Sequence, residues 1–398
     1  MQIFTARLRH FVVSVFMARG SGSGLVMIAA SCLCLLCAVG TSAQQQENTA
    51  IGDSSDATIA EFEAPGAGTG ALQGTLAFSI NSAGVVTGAY RDANYAYHGF
   101  ERAATGKITV FEAPGAGKAA GQGTGGVSIN TAGTITGVYR DVNYVDHGFI
   151  RAVDGKITDF QAPGAGTGLH QGTAAVSINS GGTVTGVYRD ANYVYHGFIR
   201  ATDGKITEFE APGAGKAAGQ GTGSLSINTA GTVTGVYRDT NDVYHGFVRA
   251  TDGKFTEFEA PGAGKSLRQG TVATSINTSG VITGGYLDGN YAIHGFVRAA
   301  DGKITDFNAS GAGKTALQGT VGLSINTAGD VSGGFIDTNN VFHAFLRVAA
   351  GKITEFEAAG SGTGGFQGTL GIGINLADDI AGGFSDKNNA VHGFVRKP

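Results

Sequence analysis

The sequence contains no tryptophan, and its three cysteines and three methionines all occur within the first 37 residues. Beyond that point the chain has no disulfide, no thiolate nucleophile and no cysteine–metal site. Charge is also sparse, with 15% charged residues and a formal net charge of −4. A mildly acidic chain lacks the basic patches that nucleic-acid binding needs. No apolar run reaches the roughly 20 residues of a membrane-spanning helix.

The first 43 residues have the three-part pattern of a secretory signal. Basic residues precede an uncharged apolar run at 25–39, and small residues follow at 41–43. This order is typical of a cleaved export signal, with a retained anchor as the alternative. The sequence therefore predicts a secreted or periplasmic protein, with a signal at 1–43 and a flexible polar lead-in at 44–57. No membrane span is expected after signal removal.

Glycine is the abundant residue, with 68 copies, and the glycines belong to a repeat of 49 residues. A phenylalanine and a histidine each recur seven times at this spacing without an insertion. Such a period indicates a supersecondary unit that buries its apolar face against its neighbours. The recurring histidines are His98, His147, His196, His245, His294, His343 and His392.

Each repeat carries four strand signals and no helical spacing. In one copy the signals span 172–179, 183–188, 195–201 and 206–211, and Gly, Asp and Asn residues separate them. These residues favour tight turns between antiparallel strands. A four-stranded unit of this length, repeated seven times, is typical of a propeller blade.

The two ends of the repeat array are complementary. The chain opens with a lone fourth strand at 58–65 and closes after a third strand at 392–396. Pairing these ends removes an exposed sheet edge. The sequence therefore predicts an all-β, seven-bladed β-propeller of four-stranded antiparallel blades over residues 58–398. The N-terminal strand 58–65 completes the last blade and closes the ring.

The third strand reads His-Gly-Phe-[Val/Ile]-Arg in most copies and His-Ala-Phe-Leu-Arg at 343–347. Together with Ser-Ile-Asn at 79–81, this motif resembles the extracellular HAF repeat family, named for His-Ala-Phe, over residues 58–398. Six copies depart from the family by having Gly in place of Ala, and Arg stands where the family often has Trp. The resemblance implies an exported bacterial protein without a settled activity. Residues 155–160 resemble one strand of streptogramin lyase propellers, which is too little to assign a catalytic residue.

The seven histidines suggest either a metal site or a structural tie. Metal ligands must converge to about 2 Å from one ion, whereas one histidine in each repeat places them far apart around a ring. We therefore interpret them as side chains that tie adjacent strands by hydrogen bonds. On this interpretation, protonation near pH 6 is expected to loosen the fold. No metal or cofactor is predicted.

Asp-x-Asn turns followed by tyrosines are the strongest candidates for ligand contacts. The turns are explained either by Asp and Asn capping their own backbone or by calcium, which needs more oxygen ligands. The tyrosines suit stacking on sugar rings or packing between blades. The candidate residues lie in the predicted linkers and turns of one face. They are Asp92, Asn94, Tyr95, Tyr144, His170, Asp190, Asn192, Tyr193, Arg268 and Tyr291.

The regularity of the repeats favours a non-catalytic function. No acid–base pair or activated nucleophile is visible among the residues that break the repeat. The first interpretation is a monomeric, exported binding or interaction module for an extracellular carbohydrate or protein. One alternative is an extracellular lyase or hydrolase acting on polysaccharide or peptide material. The other is a multivalent lectin that uses repeated shallow sites.

Overall fold

The computed structural model describes residues 57–398, and every regular element in this range is a β-strand. The predicted export signal, and the lead-in up to residue 56, lie outside the described residues. Within 57–398 there is no helix that is long and apolar enough to cross a membrane.

The described chain forms 28 strands. The first is β1 (Thr58–Phe62). Unit 1 contains β2 (Gly74–Ile80), β3 (Val86–Arg91), β4 (Tyr97–Arg102) and β5 (Ile108–Phe111). Unit 2 contains β6 (Gly123–Ile129), β7 (Ile135–Arg140), β8 (Asp146–Arg151) and β9 (Ile157–Phe160). Unit 3 contains β10 (Gly172–Ile178), β11 (Val184–Arg189), β12 (Tyr195–Arg200) and β13 (Ile206–Phe209). Unit 4 contains β14 (Gly221–Ile227), β15 (Val233–Arg238), β16 (Tyr244–Arg249) and β17 (Phe255–Phe258). Unit 5 contains β18 (Gly270–Ile276), β19 (Ile282–Leu287), β20 (Ile293–Arg298) and β21 (Ile304–Phe307). Unit 6 contains β22 (Gly319–Ile325), β23 (Val331–Ile336), β24 (Phe342–Arg347) and β25 (Ile353–Phe356). Unit 7 contains β26 (Gly368–Ile374), β27 (Ile380–Ser385) and β28 (Val391–Lys397).

Successive strands within each unit pair in antiparallel fashion, as β10 to β13 show. In unit 7 the fourth place is taken by β1, which pairs with β28 from Thr58↔Lys397 to Phe62↔Gly393. The predicted pairing of the chain ends is therefore confirmed, but the strand is shorter than 58–65. It ends early because the Ala64 amide donates to Thr75 Oγ1 at 2.9 Å and Pro65 has no amide hydrogen.

Parallel bridges join the units to each other. The first strand of each unit pairs at one residue with the third strand of the preceding unit, as at Gly123↔Tyr97 and, across the seam, Gly74↔Val391. The pairing therefore forms a closed path through 21 strands, which are the first three strands of each of the seven units. The seven fourth strands lie outside this path. All 28 strands belong to one hydrogen-bonded sheet. The structure is thus an all-β, propeller-like closed ring of repeated strands, as the sequence predicts at this level of detail.

A circle of asparagine side chains closes the ring a second time. In each unit the buried Asn of the turn between first and second strands donates Nδ2 to the carbonyl of its equivalent in the next unit, at 3.0–3.2 Å. The last bond, from Asn375 to Asn81, joins unit 7 to unit 1. Sequence analysis recognised these residues only as part of a motif. The seven members are Asn81, Asn130, Asn179, Asn228, Asn277, Asn326 and Asn375.

Glycine is required where the units meet. The first residue of every first strand is a Gly with φ between +107° and +125°, a region that residues with a side chain rarely adopt. A Cβ on Gly123 would lie 2.8 Å from the carbonyl carbon of Tyr97 and closer still to its oxygen. The bridge between units therefore depends on this backbone approach.

The His-Gly-Phe-x-Arg motif of the third strand packs each unit against its neighbour. A Cβ on Gly99 would lie 2.7 Å from Cζ of Phe111 and closer still to Cε2, so the glycine makes room for the fourth-strand phenylalanine. Arg102 places its guanidinium 4.8 Å from the ring centroid of Phe62, across the boundary to unit 7. All seven copies repeat this cation–π contact at 4.8–5.0 Å.

Candidate binding face

The linkers between units and the turns between second and third strands lie on one side of the ring, which we call the linker face. Backbone hydrogen bonds connect each linker to the turn of the preceding unit, as from His170 N to Tyr144 O at 2.8 Å. Across the seam, Leu72 N donates to Asn389 O at 2.7 Å. All ten predicted ligand-binding residues lie on this face.

Asp-x-Asn builds the turn, as the plain-turn interpretation predicts. Asp92 Oδ1 accepts hydrogen bonds from the amides of Asn94 at 2.8 Å and Ala96 at 2.9 Å. All seven turns repeat both bonds. Among residues 57–398, no group of three or more His, Cys, Asp or Glu side chains is placed to hold a metal ion.

The residue that follows each Asn has a left-handed backbone. Its φ is positive in every unit, between +61° and +64°, as for Tyr95 at +62° and Tyr193 at +64°. Units 6 and 7 place Asn340 and Asn389 there, and Asn is among the few residues that tolerate this conformation. Four units instead place a bulky tyrosine there, namely Tyr95, Tyr144, Tyr193 and Tyr291.

Each of these tyrosines is held by its hydroxyl. Tyr95 donates to Ala71 O at 3.2 Å, and Tyr193 donates to Leu169 O at 3.0 Å. The Tyr144 and Tyr291 hydroxyls bond to linker carbonyls in the same way. Tyr95 and Tyr193 remain 39% exposed, so the linker fixes the rings while leaving part of each at the surface.

The side-chain amide beside each tyrosine is available. Within the described residues, Asn94, Asn143, Asn192 and Asn290 make no side-chain hydrogen bond, and all four are exposed. In units 4, 6 and 7, which lack the tyrosine, the equivalent amide donates to the turn aspartate at 3.3–3.4 Å. An aromatic ring at the surface, exposed in units 1 and 3 and half-buried in units 2 and 5, therefore occurs together with an unengaged amide in four units.

A glutamine that sequence analysis missed connects the linker to the turn. Gln73 Oε1 accepts from Gly70 N at 2.9 Å, and its Nε2 donates to Ala93 O at 3.0 Å. In units 4, 6 and 7 the glutamine also bonds the side chain of Asp242, Asn340 or Asn389. The Gln-Gly-Thr motif, which occurs in all seven units, is the sequence signal that could have identified this glutamine.

Arginines at the ends of the second strands support the linker in units 1 to 4. Arg189 Nη1 donates to His170 O at 2.9 Å, and Arg91, Arg140 and Arg238 make the equivalent bond. Arg140 is fully buried and forms a two-point ion pair with Asp146, at 2.9 and 3.2 Å. These residues break the repeat, but they are bound to the linker and are structural in role.

The predicted site residues do not converge into a single site. Asp92, Asn94 and Tyr95 form one turn, and the equivalent three residues of unit 3 form another. Tyr144 packs edge-on against His170, with ring centroids 5.9 Å apart. Burial, and then the charge of Arg140, lower the pKa of His170. The remaining two lie in unit 5 and its preceding linker, where Arg268 N donates to Asp242 O at 2.7 Å.

The recurring histidines tie strands together, as predicted, and all but the buried His343 remain partly exposed. His98 stacks on Tyr90 with centroids 4.7 Å apart, and its Nδ1 contacts Glu112, the residue that follows the fourth strand. Its Nε2 lies 3.5 Å from Asp92 Oδ2. Two units differ at the glutamate, where Gln161 and Asn308 face His147 and His294.

The acidic neighbours reverse the expected effect of pH. The Glu112 hydrogen bond is the largest cause that raises the pKa of His98, and Glu63 raises the pKa of His392 in the same way. The pKa values of His196, His245 and His343 are also raised, because their acidic partners outweigh burial. The expectation that protonation loosens the fold is therefore wrong for these five histidines.

We expect the melting temperature to rise as the pH falls from 8 to 6. A histidine whose folded pKa is raised contributes stability below its unfolded pKa of about 6.5 and loses it as the pH rises through the folded pKa. Partly exposed pairs contribute about 0.2–1 kcal/mol each. Thermal unfolding followed by circular dichroism checks this result.

A variant with the five glutamates replaced by glutamine, the residue that unit 2 already has, should flatten the pH dependence. These glutamates are Glu63, Glu112, Glu210, Glu259 and Glu357. A melting temperature that falls between pH 8 and pH 6 in the unaltered protein would contradict the assignment.

One asymmetric polar cluster lies on the opposite face. Asp378 occupies a position with φ of +59° that is Gly in the other six units. Its carboxylate accepts from Asn326 Nδ2 at 2.8 Å, and burial and Asp330 raise its pKa. Asp330 in turn accepts from Ala349 N at 2.7 Å. Both carboxylates are thus engaged by amide donors, and the donor to Asp378 belongs to the circle of asparagines.

No model of a known protein family matches the sequence, and no curated protein matches it. Solved structures match by shape. BP39L lectin from Burkholderia pseudomallei is 9% identical, with 82% of this chain and 96% of that chain covered and a TM-score of 0.50. The fucose-specific lectin from Aleuria aurantia is 12% identical over 73% and 96%, with a TM-score of 0.44. Puromycin hydrolase is 12% identical over 81% of this chain and 53% of that chain, with a TM-score of 0.44. At these identities and scores, the likeness to BP39L lectin shows a shared propeller-like fold, and the other two likenesses carry no argument.

Proposed function

We propose that this protein is a multivalent carbohydrate-binding module, with four shallow sites at the turns of Tyr95, Tyr144, Tyr193 and Tyr291. This is the lectin alternative raised by the sequence, in place of a module for an unspecified ligand. We further propose that each set of four antiparallel strands is one blade of a seven-bladed propeller. Because of the predicted export signal and the resemblance to the HAF repeat family, we also propose that the protein is exported and bacterial.

The observation that carries the proposal is the left-handed backbone of the four tyrosines. A bulky residue in this conformation costs roughly 1–2 kcal/mol, and strained residues of this kind cluster at functional sites. Asn occupies the same position in units 6 and 7, where its side chain accepts a hydrogen bond from the nearby glutamine. If packing alone mattered, asparagine would be favoured at this position. The tyrosines are therefore best explained by contact with a ligand at the surface.

The chemistry of each turn suits a sugar. An aromatic face packs against the C–H groups of a sugar ring, and its hydroxyl is already fixed by the linker, so little side-chain freedom is lost on binding. The neighbouring Asn amide offers two donors and an acceptor to sugar hydroxyls. BP39L, which is a lectin, has a similar propeller-like ring, and this similarity supports carbohydrate binding as a use of the fold.

The test is a glycan array probed with the purified protein and with a variant in which all four tyrosines are replaced by asparagine. The unaltered protein should be retained on at least one glycan, and the variant should lose this signal. Each ring is expected to contribute about 1 kcal/mol. Because Asn is native at this position in two units, the variant should keep its melting temperature.

The matched control is Tyr90→Phe, since units 6 and 7 have Phe335 and Phe384 at that buried position. This variant should bind as the unaltered protein does. Absence of binding to every glycan at millimolar concentration, or equal binding by the asparagine variant, would overturn the proposed function.

A further inference from the structure

We infer that the ligand is a linear chain of several sugar residues that lies across units 1 to 3, rather than one sugar at each turn. This inference rests on the proposed function. Tyr95, Tyr144 and Tyr193 occur in three consecutive units, whereas Tyr291 lies alone between Asp242 and Asn340.

A continuous relay of hydrogen bonds connects the three consecutive tyrosines. Gly121 N donates to Tyr95 O at 2.9 Å, and the neighbouring Ala120 O accepts from the Tyr144 hydroxyl at 3.2 Å. His170 N then donates to Tyr144 O, and Leu169 O accepts from the Tyr193 hydroxyl at 3.0 Å. Each ring is therefore oriented by the linker that follows the previous tyrosine, which makes the three turns one preorganised surface.

Exposed apolar side chains accompany the rings of units 1 to 3. Val142 is 69% exposed in the turn of Tyr144, and Leu169 is 54% exposed in the linker between Tyr144 and Tyr193. Together with Tyr95 and Tyr193, they make four of the eight large apolar residues that are exposed in the described chain. These exposed apolar side chains let a bound sugar chain contact apolar surface as it passes from one ring to the next.

Charged or small polar residues end the surface on both sides. In unit 4 the tyrosine is replaced by Asp242, which pairs with Arg238 at 2.6 Å and accepts from Gln220. In unit 7 it is replaced by Asn389, which accepts from Gln367 at 3.1 Å. The aromatic surface thus spans three units, and a ligand that uses all of it must be longer than one sugar.

The energetic reason for a chain is effective concentration. A single turn offers one ring edge and one amide, which supports only weak binding. Once one sugar of a chain is bound, its neighbours are held near the next ring, and the combined affinity can exceed that of one site by 10²–10⁴.

The experiment is calorimetric titration with cello-, chito- and manno-oligosaccharides of one, four and eight residues. In at least one series, we expect the Kd to fall by about 100-fold or more from one to eight residues, with one chain bound to units 1 to 3. Tyr144→Asn, in the middle of the surface, should weaken the eight-residue ligand about tenfold. Tyr90→Phe, at a buried position where units 6 and 7 have Phe335 and Phe384, is the matched control and should leave that affinity within twofold.

Three results would overturn the inference. One is a Kd independent of chain length with four equivalent sugars bound, which leaves the proposed function intact and makes each turn an independent site. Another is an affinity for the eight-residue ligand that Tyr144→Asn leaves within twofold of the unaltered protein. Failure of all three series to bind also overturns the inference, and the glycan array decides separately whether the proposed function falls with it.

Discussion

Replacing Gly123 by alanine is expected to lower the free energy of unfolding by about 3–5 kcal/mol, because two costs add. The residue has φ of +114°, and a Cβ would overlap the carbonyl group of Tyr97. The backbones of Gly123 and Tyr97 cannot move apart, because this residue pair is the parallel bridge between units 1 and 2. Urea unfolding followed by circular dichroism measures the loss.

Gly223→Ala is the matched control for this prediction. Gly223 lies two residues into its own first strand, and the nearest atom to its added Cβ is Val236 O at 3.8 Å. Its substitution should be neutral or stabilise by up to about 1 kcal/mol, because alanine restricts the unfolded chain. Equal losses in the two variants would show that the bridge has no special need for glycine.

Removal of all residues up to Pro65 is expected to cause the largest loss of stability, more than about 5 kcal/mol. The deleted β1 supplies Phe62, which packs edge-on against Phe100 at 5.8 Å and lies under Arg102. Removing one such ring alone costs about 3–5 kcal/mol. Deletion also exposes the edge of β28, a template for pairing with other chains.

The control for the truncation is a chain that begins at residue 57 and keeps β1, which should melt as the full protein does. A synthetic peptide of residues 57–66, added to the chain that lacks them, should restore part of the melting temperature, whereas a scrambled peptide should not. An unchanged melting temperature after truncation would mean that β1 contributes nothing to closure, and the parallel bridge and asparagine circle would then suffice.

Sequence analysis succeeded where the structure is local or follows from the phase of the repeat. The Asp-x-Asn turns, the strand order and the pairing of β1 with β28 follow from turn chemistry and from the phase of the repeat. It failed on the sign of the histidine effect, because Glu112 comes 14 residues after His98 and is brought to it by the pairing of two strands. It also missed Gln73, whose partners lie in a linker and in a turn.

The candidate site, too, was only partly predictable from the sequence. Tyr95 and Asp92 could be named as candidates because they follow a predicted strand. The left-handed backbone of Tyr95 and its hydroxyl bond to Ala71 could not be predicted. Sequence analysis gave no role to the arginines at the ends of the second strands, such as Arg140, and the structure shows them bound to linker carbonyls.

The sequence by itself determined the number of units, the strands in each and the residues that turn the chain, because these depend on contacts within one repeat of 49 residues. Only the tertiary structure decided that the units share one hydrogen-bonded sheet, that Asn375 bonds Asn81 across the seam, and that the tyrosine hydroxyls bond to linker carbonyls. The asparagine bonds join equivalent residues of different units. Their geometry depends on how the units are arranged around the ring, which no single repeat encodes.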